Sequence, residues 1–153
     1  MSPPSNDETI SSRVAAIPDA VPIPQQHTLI GARVLVADDE RDARSLISLA
    51  LQSAGAHVVT AHCASEAVKM ALQNDFDILV TDLSMPDGDG FSLLRSLRLR
   101  GKKMPAIALS ALRGPEIEQK VKDAGFALHL DKPIEVSFLT AAVTDALWHA
   151  RQK

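Results

Sequence analysis

From residue 32 onward the apolar positions follow two alternating textures. Short runs dominated by Val, Leu, Ile and Ala occupy residues 33–37, 57–61, 77–81, 104–109 and 127–130. Such short runs, bounded by Gly, Pro, Asp or Ser, predict strands buried on both faces. Between them the apolar residues recur every three or four positions, the period of a helix with one inward face. Residues 41–54 carry Leu46, Ile47, Ala50 and Leu51 on that face, and Gly55 suits the position just past the last turn. Residues 64–73 carry Ala67, Val68, Ala71 and Leu72. A third helix starts near Phe91, with Asp89 and Ser92 placed to cap it. It presents Leu93, Leu94, Leu97 and Leu99, and stops at Gly101. Pro115 fits the first turn of a fourth, which carries Ile117 and Val121 and ends at Gly125. A last helix, residues 135–150, buries Val136, Leu139, Val143, Ala146 and Leu147.

Five strands alternating strictly with five helices predict a parallel sheet covered on both faces, joined by right-handed crossovers. The fold class is therefore a doubly wound α/β domain over residues 31–152. Residues 1–30 hold five of the nine prolines and show no periodicity, which predicts a disordered or extended tail.

Composition narrows the function. Apolar residues make up 46% of the 153 and aromatics only 3%, so the core is aliphatic. A net charge of −3, with no block of like charge, argues against a nucleic-acid grip. No apolar run approaches the roughly 18 residues of a membrane span, and the N-terminus lacks the pattern of a secretory signal. The single cysteine, Cys63, forms no intrachain disulfide and fits a cytoplasmic setting. It falls at the N-cap of the second helix, with Glu66 three residues on.

Parallel strands end at one edge of the sheet, where open α/β sheets place their chemistry. The first strand delivers Asp38 and Asp39 there, the third Asp82, the fourth Ser110 and the fifth Lys132. Glu40, next to the first pair, is the candidate for capping the first helix. Three carboxylates together are electrostatically costly, and a hard divalent cation such as Mg²⁺ relieves that cost. Asp82, central in the group, is placed to act as a nucleophile toward a phosphoryl group. Lys132 and Ser110 offer a point charge and a hydroxyl to its oxygens.

Four motifs carry a specific resemblance: Val36-Ala37-Asp38-Asp39-Glu40, Asp82-Leu83-Ser84-Met85-Pro86-Asp87-Gly88-Asp89-Gly90, Ala108-Leu109-Ser110-Ala111 and Lys132-Pro133. Residues 33–150 resemble the receiver domain of bacterial response regulators. The resemblance implies a flavodoxin-like receiver fold with sheet order 2-1-3-4-5. It implies Asp82 as phosphoacceptor, served by a histidine kinase or histidine phosphotransfer protein, with downstream signalling through protein contacts. It further implies Mg²⁺ ligation by Asp39, Asp82 and the Ser84 carbonyl, with Asp38 acting through water, and a cis Lys132–Pro133 bond. The chemistry expected is self-phosphorylation and self-dephosphorylation at Asp82, not turnover of a substrate. Two departures stand out. His129 occupies a position where the family usually has Tyr or Phe as a switch residue, and the chain stops after the fifth helix. The 125–133 stretch is similar to receivers at the ends of hybrid histidine kinases, so the tail reads as a linker remnant.

Two other readings compete. A phosphatase of the haloacid dehalogenase type also uses Asp after a parallel strand, but needs a second Asp where this chain has Ser84. A receiver scaffold serving as a non-phosphorylated interaction module has no use for the complete set of rim residues.

Overall fold

The computed structural model describes residues 29–152. Expectations for the proline-bearing tail before residue 29 lie outside the described residues. The elements are β1 (Arg33–Ala37), α1 (Arg41–Ser53), β2 (His57–Ala61), α2 (Ala64–Gln73), β3 (Ile78–Asp82), α3 (Gly90–Leu99), β4 (Ala106–Ser110), α4 (Pro115–Ala124), β5 (Leu128–Asp131) and α5 (Val136–Arg151). The strands form one sheet in the order β2-β1-β3-β4-β5, and every neighbouring pair is parallel. The predicted order and alternation are thus both present.

The central strands β1, β3 and β4 are buried at every position but Arg33, and largely apolar, because their two faces meet different layers. Val34, Val36, Ile78, Val80, Ile107 and Leu109 pack against Ile47 and Leu51 of α1 and Leu139, Val143 and Leu147 of α5. Leu35, Leu79, Ala106 and Ala108 point the other way, onto α2, α3 and α4, where Ala67, Ala71, Leu93, Leu94, Leu97, Ile117 and Val121 close the second core. Leu29 also enters the first core, and its N–H donates to the Ala54 carbonyl at 2.9 Å. Gly55 takes φ 104°, the left-handed conformation that its place after α1 requires.

Four residues expected on inward helical faces lie exposed instead: Leu46, Leu72, Leu99 and Val136. Each falls at the margin of its apolar stripe, beyond the reach of the sheet. Caps also differ from expectation. Asp89 does cap α3, accepting the Ser92 N–H at 2.7 Å. Glu40 and Cys63 stand at the N-cap positions of α1 and α2, but neither side chain makes a capping bond.

Connections set the site. The chain leaves β1 toward β2 on one side and continues from β3 toward β4 and β5 on the other. The crevice beyond the carboxyl ends of β1 and β3 is thus the topological switch point, where doubly wound sheets bind ligands.

Candidate functional site: a carboxylate cluster bridged by lysine

Asp38 follows β1 directly, and Asp82 is the last residue of β3. The parallel pairing of Val36 with Val80 and Ala37 with Thr81 brings these two strand ends side by side. One carboxylate oxygen from each of Asp38, Asp39 and Asp82 falls within 4.8 Å of the others. Asp38 and Asp82 are buried, at 0% and 7% exposure, while Asp39 faces solvent.

Lys132, at the end of β5, reaches across the rim. Its Nζ donates to Asp38 Oδ2 at 2.9 Å and to Asp82 Oδ2 at 3.0 Å. The remaining oxygens also have donors. Asp38 Oδ1 accepts the Glu40 N–H at 2.9 Å, and Asp82 Oδ1 accepts the Ser84 N–H at 3.1 Å. The Lys132–Pro133 peptide bond is cis.

Ser110 is buried at the end of β4. Its Oγ accepts the Leu112 N–H at 2.9 Å, so the hydroxyl is turned into its own loop. Its carbonyl accepts the Lys132 N–H at 2.9 Å, which ties the ends of β4 and β5 together. A side chain at Gly90 would put Cβ 2.7 Å from the Asp82 carbonyl oxygen, so only glycine lets α3 start against the end of β3.

Burial pushes the Asp82 carboxyl above its ordinary pKa, and the Asp38 charge adds to the rise. Hydrogen bonds from Ser84 and Lys132 oppose this without cancelling it. Burial works against the Lys132 ammonium too, but its hydrogen bonds to Asp38 and Asp82, and their charges, outweigh burial and raise its pKa. Burial thus governs Asp82, whereas Lys132 is governed by the two carboxylates that share its one ammonium. The cluster accordingly carries excess negative charge and an all-oxygen donor set, the chemistry that suits a hard cation such as Mg²⁺.

Every residue singled out at the rim is therefore brought to the same edge. Lys132 contacts the carboxylates directly, Ser84 reaches the site through its amide, and Ser110 makes no side-chain bond to Asp82. One supporting group escaped the sequence reading. Arg44, on α1, donates from its guanidinium to the Asp38 carbonyl at 2.8 Å. The signal was available, since Arg44 lies one turn into a helix starting beside Asp38, but arginine on a helix face ordinarily reads as solvated.

Comparison with known proteins agrees with this geometry. Residues 34–144 match the family model of the response regulator receiver domain. An uncharacterized 14.6 kDa protein from Leptolyngbya boryana is 37% identical over 110 residues, spanning 71% of this chain and 84% of that protein. The cell cycle response regulator CtrA of Brucella ovis is 34% identical over 113 residues. That match spans 72% of this chain and 48% of CtrA, so it covers about half of the longer relative. Among solved structures, the receiver domain of the Francisella response regulator 1452 superposes with a TM-score of 0.74 at 31% identity, covering 78% of this chain and 98% of that one. The chemotaxis response regulator CheY4 of Vibrio cholerae gives 0.72 at 31% identity, covering 75% and 98%. With its sheet order and acidic crevice, this chain belongs to the response regulator receiver domain family of two-component signalling.

Proposed function

We propose that Asp82 is the phosphoacceptor of a two-component or phosphorelay pathway, receiving its phosphoryl group from the phosphohistidine of a histidine kinase or histidine phosphotransfer protein. The observation that carries the reading is Asp82 itself: a nearly buried carboxylate at a strand end, bonded to an ammonium and grouped with two more carboxylates. In the transfer, an Asp82 oxygen forms a bond to phosphorus as the phosphorus–nitrogen bond of the donor imidazole breaks, and the leaving imidazole takes up a proton. The Ser84 amide orients the carboxylate through Oδ1. Lys132 stays anchored on Asp38 and turns its other donors to the incoming phosphoryl oxygens, and the Ser110 hydroxyl leaves its loop bond to do the same.

Asp38, Asp39 and Asp82, with the Ser84 carbonyl, are the groups that would hold Mg²⁺ here, Asp38 through water. Bound there, the ion supplies positive charge to the phosphoryl oxygens. Hydrolysis of the acyl phosphate at the same site resets the protein, with no separate substrate turned over. The signal then passes by protein contacts. These partners are cytoplasmic in this reading; separately, no helix among the described residues is long and apolar enough to cross a membrane.

Incubation with acetyl phosphate and Mg²⁺, followed by intact mass measurement, tests the proposal. A gain of about 80 Da, one HPO₃ unit, is expected in the wild type and absent in Asp82→Asn. An unmodified wild type, or an adduct that survives the substitution, overturns it.

A further inference from the structure

The loop joining β3 to α3 is fixed at its base, its tip and its far end by different groups. At the base, the Ser84 N–H donates to Asp82 Oδ1, and the Gly90 N–H donates to the Leu83 carbonyl at 3.0 Å. At the far end, Asp89 caps α3. The tip is held by Asp87, whose carboxylate caps a different helix, α2. Its Oδ1 accepts the Ala64 N–H at 2.8 Å, and its Oδ2 accepts the Ser65 N–H at 3.0 Å and the Ser65 hydroxyl at 2.7 Å. Among the described residues, every hydrogen bond from residues 84–88 to α2 passes through this carboxylate.

Helix α2 depends on the clamp as much as the loop does. Cys63, at its N-cap position, makes no capping bond, so the orphan amides of the first turn are satisfied from 23 and 22 residues away. The loop lies against the helix here: a Cβ added at Gly88 would stand 3.5 Å from the Ala64 Cβ. The Ser65 amide, the Ser65 hydroxyl and the Ala64 amide hold the Asp87 carboxyl well below the usual carboxylate range, so it stays ionised in any working buffer.

We propose that Asp87 is a positioning residue for the acceptor: its clamp on α2 fixes the loop whose first amide, that of Ser84, orients the Asp82 carboxylate. This inference rests on the reading of Asp82 as phosphoacceptor. With the clamp gone, residues 84–88 keep the loop's two ends and the packing of Met85 against the second core but lose their tie to α2, and the Ser84 N–H loses its fixed direction. The Asp82 carboxylate then samples orientations that do not face a donor phosphorus, and misplacement of a reacting group slows transfer steeply.

The test compares wild type, Asp87→Ala, Asp87→Asn and Glu66→Ala. Phosphorylation by phosphoramidate with Mg²⁺ is followed by intact mass, and amide exchange at Ser84 is followed by NMR in the unphosphorylated protein. Asp87→Ala is expected to phosphorylate about 10-fold more slowly, with Ser84 exchanging about 10-fold faster. Asp87→Asn keeps one acceptor oxygen and falls between. Glu66 accepts the His62 N–H at 2.7 Å beside the same helix end without touching the loop. Glu66→Ala therefore stays within about two-fold of wild type in both measurements. Should Asp87→Ala fail to fold, Asp87→Asn carries the test. Wild-type rates in the Asp87 variants, slow transfer without faster Ser84 exchange, or a Glu66→Ala variant as slow as Asp87→Ala would each overturn the inference. A wild type that takes no phosphoryl group refutes the phosphoacceptor reading instead, and the Ser84 exchange still reports on the clamp.

Discussion

Lys132 and Asp82, 50 residues apart in sequence, are joined by a 3.0 Å bond from Nζ to Oδ2. That lysine is not Asp82's alone, because Asp38 takes the same ammonium at 2.9 Å. Burial, with the Asp38 charge beside it, leaves Asp82 with a pKa above its ordinary 3.8 even so. The folded protein therefore holds the Asp82 proton more tightly than the unfolded chain does. The contribution of this group to stability is greatest below pH 3.8 and declines as pH rises through the folded value. At neutral pH its charge is a net cost. Asp82→Asn, which leaves Lys132 paired with Asp38, is expected to raise the midpoint of thermal unfolding at pH 7 by about 3–5 °C. The gain should shrink as pH falls toward 4, which thermal scans at several pH values will read. A lower midpoint at pH 7 would contradict this account.

The opposite substitution exposes the same arithmetic. Lys132→Met leaves Asp38, fully buried, with no ammonium, and is expected to cost about 2–4 kcal/mol. The raised Lys132 pKa contributes stability that is fully present below pH 10.5 and lost as pH climbs through the folded value. Wild type should therefore lose stability on entering the alkaline range, a step absent from Lys132→Met. Adding Asp38→Asn to that variant removes the orphaned charge and is expected to recover much of the loss. Urea unfolding of the two variants checks both statements, and no recovery in the double variant would place the cost elsewhere.

The strand ends were legible because a buried parallel strand announces itself as a solid apolar run, and its last residue has only one place to go. Asp38, Asp82 and Lys132 could be assigned to one rim on that ground alone. The helix faces were less legible. Leu46, Leu72, Leu99 and Val136 satisfy the helical period yet lie exposed, since periodicity marks a stripe and not how far the neighbouring layer reaches across it. Least legible were bonds between distant segments. Nothing local to Cys63 or Glu66 indicates that Asp87 caps α2, nor does the 41–54 pattern show Arg44 turned back onto the Asp38 carbonyl.

Asp39 differs from its two partners in being exposed, so it holds up little of the fold. Asp39→Ala is expected to leave the unfolding midpoint unchanged or slightly raised, because one carboxylate fewer reduces repulsion across the cluster. Mg²⁺ affinity, measured by calorimetry on the unphosphorylated protein, is expected to fall about 10-fold or more. Chelation of Mg²⁺ with EDTA should abolish the acetyl phosphate adduct in wild type, and Asp39→Ala should behave likewise at low Mg²⁺. Wild-type phosphorylation of Asp39→Ala in EDTA would show that the cluster acts without a cation.

His129 carries the last prediction. It lies on β5 opposite Ala108 of β4, with its side chain only 6% exposed. Both ring nitrogens are buried without a hydrogen-bond partner. The nearest acid, Glu118 on α4, is 3.8 Å from Nδ1, too far for a hydrogen bond and itself largely in solvent. An imidazole in this setting forfeits hydration and gains no hydrogen bond, a cost of about 1–3 kcal/mol for an unsatisfied buried polar group. Replacing it with an apolar ring removes that cost, so His129→Phe is expected to stabilise the domain by about 1 kcal/mol after the larger ring is accommodated. The same residue sits between the β4 end, which carries Ser110, and α4, so the substitution also favours inward packing when Ser110 moves. Coupling between phosphorylation and binding of a downstream protein should then strengthen. Urea midpoints read the first effect, and partner affinity with and without acetyl phosphate reads the second. A destabilised His129→Phe would show that the pocket is shaped to the imidazole, and unchanged affinity in both states would place His129 off the signalling path.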